Sequence, residues 1–175
     1  MTEDNGGEEK AGKKTDEPVE PEYRVFISVP YYGTENVEKI ESAVEKIFPG
    51  TVFEKIEGFG KKILRGEGGT LRTLRERLRE QRIRDAAREH LRLLRPLVFF
   101  LNKQAAYVGK VNFSDGKNPM GDIQVEVRVE KEGDEEKVVE WLTYIPEKQA
   151  AKREREEREN GAASGGGGEY DRESA

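Results

Sequence analysis

Asp122-Ile123-Gln124-Val125-Glu126-Val127-Arg128-Val129-Glu130 decides the fold class. Polar and branched apolar residues alternate without a break, the period-two pattern of a half-buried strand. Ile123, Val125, Val127 and Val129 are expected on its core side. Upstream, Leu97-Val98-Phe99-Phe100-Leu101 is apolar throughout and follows Pro96, as expected of a central strand. Ser114-Asp115-Gly116 and Asn118-Pro119 supply the turn between the two.

Moving toward the N-terminus, Tyr23 to Val29 is a β-branched and aromatic run stopped by Pro30, another strand. Gly33-Thr34 then opens a helix, with Thr34 expected as its cap and Glu35 suited to its positive end. Val37, Ile40, Val44 and Ile47 form one apolar stripe, ended by Pro49-Gly50. Thr51 to Ile56 and Phe59 to Arg65 read as a hairpin turning near Gly58, with Gly60 as a candidate bulge. Gly66-Glu67-Gly68-Gly69 reads as a flexible link before a helix capped by Thr70 and carrying Leu71, Leu74 and Leu78. A second stripe, Ile83, Ala86, Ala87, His90, Leu91 and Leu94, is out of phase with the first, so a break is expected near Gln81. Asp134 begins a last helix with Val138, Val139, Trp141 and Leu142. The order β-α-β-β-α-α-β-β-α predicts an α+β two-layer sandwich, a mostly antiparallel sheet covered by helices on one face.

Hydrophobic residues make up 34% and charged residues 38% of the 175, with a mean hydropathy of -0.89. That is too polar for the whole chain to pack into one core. The expected domain spans 23–145, between a disordered acidic arm (1–22) and a charged, Gly-rich disordered tail (146–175). No membrane-spanning run and no secretory signal is read, and cysteine is absent, which excludes disulfides, thiolate zinc sites and thiol catalysis. Cytoplasmic residence and the absence of a cofactor are the resulting expectations.

The net charge of -5 argues at first against a nucleic-acid partner. The acid, however, sits largely at the ends: residues 1–22 hold eight acidic side chains against three lysines. From Lys61 to Lys110 there are fourteen basic side chains against five acidic ones. Within that stretch Arg72, Arg75, Arg79 and Arg82 recur at helical spacing, and a straight helix would align them away from the leucines. Guanidinium groups grip phosphate bidentately, which suits a nucleic-acid backbone. The competing reading is a solvated face tied by Glu76–Arg79, Glu80–Arg84 and Glu89–Arg92 pairs.

Asn102 to Phe113 mixes amides, lysines and aromatics, a composition suited to unpaired RNA, where rings stack and amides read base edges. Lys103, Gln104, Tyr107, Lys110 and Asn112 are its candidate contacts. Alternatively, Tyr107, Val108, Val111 and Phe113 are core and the amides satisfy loop backbone groups. Gly66 to Thr70 before a helix could hold a phosphate, but it lacks the lysine of a P-loop. His90, the only histidine, is expected to pack on an apolar helix face. No nucleophile–base set and no spaced metal ligands can be assembled, so no enzymatic activity is expected.

Gln81-Arg82-Ile83-Arg84-Asp85-Ala86-Ala87-Arg88, Leu101-Asn102-Lys103-Gln104-Ala105-Ala106-Tyr107-Val108-Gly109-Lys110-Val111-Asn112-Phe113 and Asn118-Pro119-Met120-Gly121-Asp122-Ile123 together resemble an uncharacterised archaeal protein family. Weaker similarity reaches back to Tyr23. The resemblance implies a predicted RNA-binding, exosome-associated protein. It also implies a fold similar to that of the large-subunit ribosomal protein that binds 5S RNA. The Gly66–Gly69 segment and both tails depart from the family pattern. Three functions follow as expectations. The first is a non-catalytic RNA-binding module. The second is a protein-interaction or assembly factor, a dimer through a sheet edge for instance. The third is a phosphate-ligand or enzyme site at Gly66–Thr70.

Overall fold

A computed structural model describes residues 17–164 of the chain. Most of the expected N-terminal arm, and residues 165–175 of the expected tail, lie outside the described residues. Two units are distinguished, Pro18–Tyr144 and a second that holds the chain from Ile145 on.

In the first unit, strands β1 (Arg24–Pro30), β2 (Val52–Gly58), β3 (Lys61–Glu67), β4 (Leu97–Leu101), β5 (Phe113–Ser114) and β6 (Ile123–Arg128) form one open sheet in the order β2-β3-β1-β6-β4-β5. Every pairing is antiparallel. β1 and β6 lie at the centre with Val25 opposite Val127 and Ile27 opposite Val125, so the alternation in the sequence becomes one apolar face. β4, expected at the centre, lies one strand from the border, and the two-residue β5 covers only its end. Val129 falls just beyond β6 and is half-buried.

Helices α1 (Val37–Ile47), α2 (Arg72–Glu80), α3 (Arg84–Leu91) and α5 (Glu135–Leu142) share one core cluster with that face. A short helix, α4 (Lys103–Tyr107), lies inside the stretch expected to be an amide-rich loop. The opposite face presents Phe26, Ser28, Gln124 and Glu126 half-buried and Arg65 exposed. The sandwich therefore has two layers, as the strand and helix order predicts.

Local signals resolve differently from the sequence expectation in several places. α1 is capped by Asn36, not Thr34: its Oδ1 accepts the amides of Glu38 (3.0 Å) and Lys39 (3.4 Å). At α2, Leu71 occupies the capping position. The Thr70 hydroxyl accepts the Arg72 amide at 3.2 Å, and the Tyr23 phenol accepts the Leu71 amide at 3.0 Å. With those donors taken, the phosphate site considered at Gly66–Thr70 has lost two of its groups. The glycines there serve packing instead. A Cβ on Gly66 would stand 2.5 Å from the Thr51 Cγ2, and one on Gly69 2.5 Å from its Oγ1. The unit also starts before Tyr23, because Glu20 accepts the Tyr23 phenol (2.8 Å) and pairs with Arg72 (2.8 Å).

The second unit contains helix α6 (Pro146–Ser164), where a charged tail is the sequence expectation. It has no apolar stripe to bury. Its Ala, Glu, Lys, Arg and Gln residues are strong helix formers, and Lys152 and Glu156 pair at 3.7 Å one turn apart. No described helix is long and apolar enough to cross a membrane.

Lys103 holds the first unit together from within. It is 3% exposed, and its ammonium donates to the carbonyls of Pro30 (2.6 Å) and Met120 (2.7 Å) and to the Glu35 carboxylate (3.0 Å). Lys103→Met would leave a largely enclosed carboxylate and two carbonyls without their donor. It should destabilise the fold by about 3–5 kcal/mol, read as a lower midpoint in urea; an unchanged midpoint would show that the cluster contributes nothing.

Candidate nucleic-acid interface

The expected arginine stripe divides where the helix divides. α2 ends at Glu80, and Arg82 takes a left-handed backbone (φ +57) before α3 starts at Arg84. Arg72 stands at the far end of α2, paired with Glu20. Arg75 turns inward: its Nε donates to the Trp141 carbonyl at 2.8 Å and its guanidinium lies 5.1 Å from the Trp141 ring centroid. Arg84 donates to the Tyr144 carbonyl at 2.9 Å. Both arginines thus satisfy carbonyls at the C-terminal end of α5, where a helix carries partial negative charge. Arg79 and Arg82 are exposed, and neither makes an ion pair among the described residues. Of the expected ion pairs, Glu89–Arg92 forms at 3.3 Å, while Glu80 pairs with Arg77 at 3.1 Å instead of Arg84.

The segment after β4 divides likewise. Asn102 caps α4, its Oδ1 accepting the Ala105 amide at 3.0 Å. Lys103 points to the interior, as above, and is not a surface contact. Tyr107 is half-buried against the core, and its carbonyl accepts the Lys46 ammonium at 2.6 Å. Burial, and secondarily the Glu35 carboxylate, push its phenol above the ordinary tyrosine range. Gln104, Lys110 and Asn112 are exposed.

What joins the two segments is Gln81. Its side-chain amide donates to the Val111 carbonyl (2.9 Å) and its oxygen accepts the Val111 amide (2.8 Å), mimicking a strand pairing across thirty residues of sequence. The break between α2 and α3 is thereby fastened to the turn after α4. Between them opens a cleft of about 520 Å³ lined by Gln81, Ile83, Ala86, His90, Ala105, Lys110, Val111, Asn112 and Phe113. None of these residues is acidic, in a chain with 36 Asp and Glu residues.

His90 is exposed at this cleft instead of packed away, with its ring centroid 5.0 Å from that of Phe113. Sequence spacing places it on the apolar side of α3, and only the fold shows that this side faces an opening. Of the candidate contacts, Lys110 and Asn112 line the cleft and Arg79 and Arg82 flank its α2 end in sequence. Gln104 adjoins the lining residue Ala105, and Arg72, Arg75, Lys103 and Tyr107 lie elsewhere. An exposed cation, the Asn112 amide and the tilted His90–Phe113 ring pair around one opening form a surface able to take a base and its phosphate.

Replacing Gln81 by Ala should remove both bonds to Val111 and cost about 1–3 kcal/mol. Hydrogen exchange at the Val111 amide should quicken; retained protection there would show that the turn holds without Gln81.

A family model described as RNA binding matches residues 24–129, more than half of the chain. The UPF0201 protein of Methanopyrus kandleri is 40% identical over 140 residues, covering 68% of this chain and 83% of that protein. The UPF0201 protein of Sulfurisphaera tokodaii is 34% identical over 128 residues, covering 69% and 86%. A crystal structure of a UPF0201 protein from Methanococcus jannaschii superimposes with a TM-score of 0.58 at 35% identity, covering 69% of this chain and 98% of that one. The chain belongs to the archaeal UPF0201 family.

Proposed function

We propose that the protein is a non-catalytic RNA-binding module whose contact surface is the cleft between the α2–α3 break and the α4–β5 turn. The observation that carries this reading is the acid-free cleft itself, where Lys110, Asn112 and the His90–Phe113 rings converge. The description of the matching family model, RNA binding, supports the same reading. The exposed His90 ring and the exposed amides of Gln104 and Asn112 favour unpaired or looped RNA, because the edges and faces of paired bases are not presented to such a cleft. Exposed Arg79 and Arg82 would add phosphate contacts. A place in RNA processing, beside the ribosome or the exosome, belongs to the same proposal.

An Arg82→Glu/Lys110→Glu double variant tests it, since neither side chain holds the fold together. Fluorescence anisotropy with single-stranded, duplex and ribosomal RNA should show at least a tenfold loss of affinity at an unchanged melting temperature. The salt dependence of the remaining binding should also be shallower, by roughly 1.4 in the slope of log K against log salt for two lost phosphate contacts. Failure of the wild-type protein to bind any of these RNAs at low salt would sink the reading. A protein partner retained after nuclease treatment of a lysate, with no RNA bound, would favour an assembly factor instead.

A further inference from the structure

The β2–β3 turn has the wrong residue for its geometry. Gly58 pairs with Lys61, so Phe59 and Gly60 are the two central residues, with φ +52 and +73. A two-residue turn of this kind is usually Asn-Gly, because the short Asn side chain tolerates positive φ. A bulky ring there is strained, and strain of this sort is retained where something else requires the residue. Packing does not require it: Phe59 is 108% exposed, the most exposed large apolar side chain among the described residues.

Its surroundings are basic and aromatic. Lys61 and Lys62 follow directly and are exposed. The nearby Glu57 carboxylate accepts the Tyr31 phenol at 3.3 Å. The Tyr31 amide donates to the Lys62 carbonyl at 3.0 Å, extending the line of β1 beside the start of β3. The next residue, Tyr32, is 48% exposed, and its ring is pinned by a 2.7 Å bond from the phenol to the Pro119 carbonyl. One end of the sheet therefore presents a projecting ring, a second fixed ring and two exposed ammonium groups, of which Lys62 stands opposite Glu57 and Lys61 opposite Gly58.

We propose that this end is a second RNA contact, distinct from the cleft, in which Phe59 stacks on an unpaired base while Lys61 and Lys62 meet the adjoining phosphates. The inference rests on the RNA-binding reading. A single projecting ring matches the footprint of one base, and stacking accepts any base, so the contact adds affinity without sequence preference. A lipid surface or an apolar protein groove would call for several neighbouring apolar side chains at the tip, where lysines stand instead.

Phe59→Asn separates structure from function, because it installs the favoured turn while deleting the ring. Its melting temperature should equal or exceed that of the wild type, while affinity for single-stranded oligoadenylate falls roughly 5- to 100-fold, the equivalent of one base–ring stack. Phe59→Trp should restore affinity, and its fluorescence should be quenched by the oligonucleotide and left unchanged by anionic vesicles. Wild-type affinity in Phe59→Asn, with binding still lost in the cleft variant, would overturn this contact and leave the RNA reading standing. Absence of wild-type binding would remove both, and quenching by vesicles alone would overturn the contact in favour of a membrane.

Discussion

An ammonium group inside a protein must find acceptors for its three protons, or the cost of leaving water is not recovered. Lys103 finds them on the end of β1, on the loop leading into α1, and on the turn before β6. The first two lie 73 and 68 residues before the lysine and the third 17 after it, and the lysine sits at the first position of α4. The start of α4 is consequently fixed against the sheet, which sets the direction in which residues 108–112 leave it. Gln81 fastens the other end of that turn to the α2–α3 break. The cleft is the space between two clamps, one charged and buried, the other neutral and half-exposed.

Charge in this chain divides by direction more than by number. Arg75 and Arg84 are spent on the carbonyls at the end of α5, Arg72 on Glu20, and Lys46 on the end of α4. The cations left facing solvent without a described ion pair include Arg79, Arg82, Lys110, Lys61 and Lys62. A net charge of -5 is therefore compatible with basic local surfaces, since the potential met by a polyanion depends on the nearest uncompensated groups.

Much of the fold could be read from periodicity. The alternation of residues 123–127, the α1 stripe and the phase shift near Gln81 each report which side of an element is buried, and burial is what selects those residues. Sheet order was not legible, because an apolar strand such as Leu97–Leu101 looks the same one place from the border as at the centre. The roles of lysine and arginine were the least legible. Lys103 and Lys110 sit in one segment with similar neighbours, yet one is buried and the other lines the cleft. What separates them is the position of acceptors on Pro30, Glu35 and Met120, which no local pattern encodes. His90 shows the complementary case: its apolar helix face meets the Phe113 ring, but at an opening and not in the core.

The two borders of the sheet are unequal. One ends in the two-residue β5; the other is β2, whose seven residues pair only with β3. Along β2, Glu54, Lys55 and Glu57 are exposed. If a second copy were laid antiparallel on this border about its midpoint, Lys55 would face Lys55, and like charges directly opposite oppose pairing. In that register the exposed lysine works against the approach of a second β2 strand. The Phe59 tip, beyond that border, stands fully exposed to solvent.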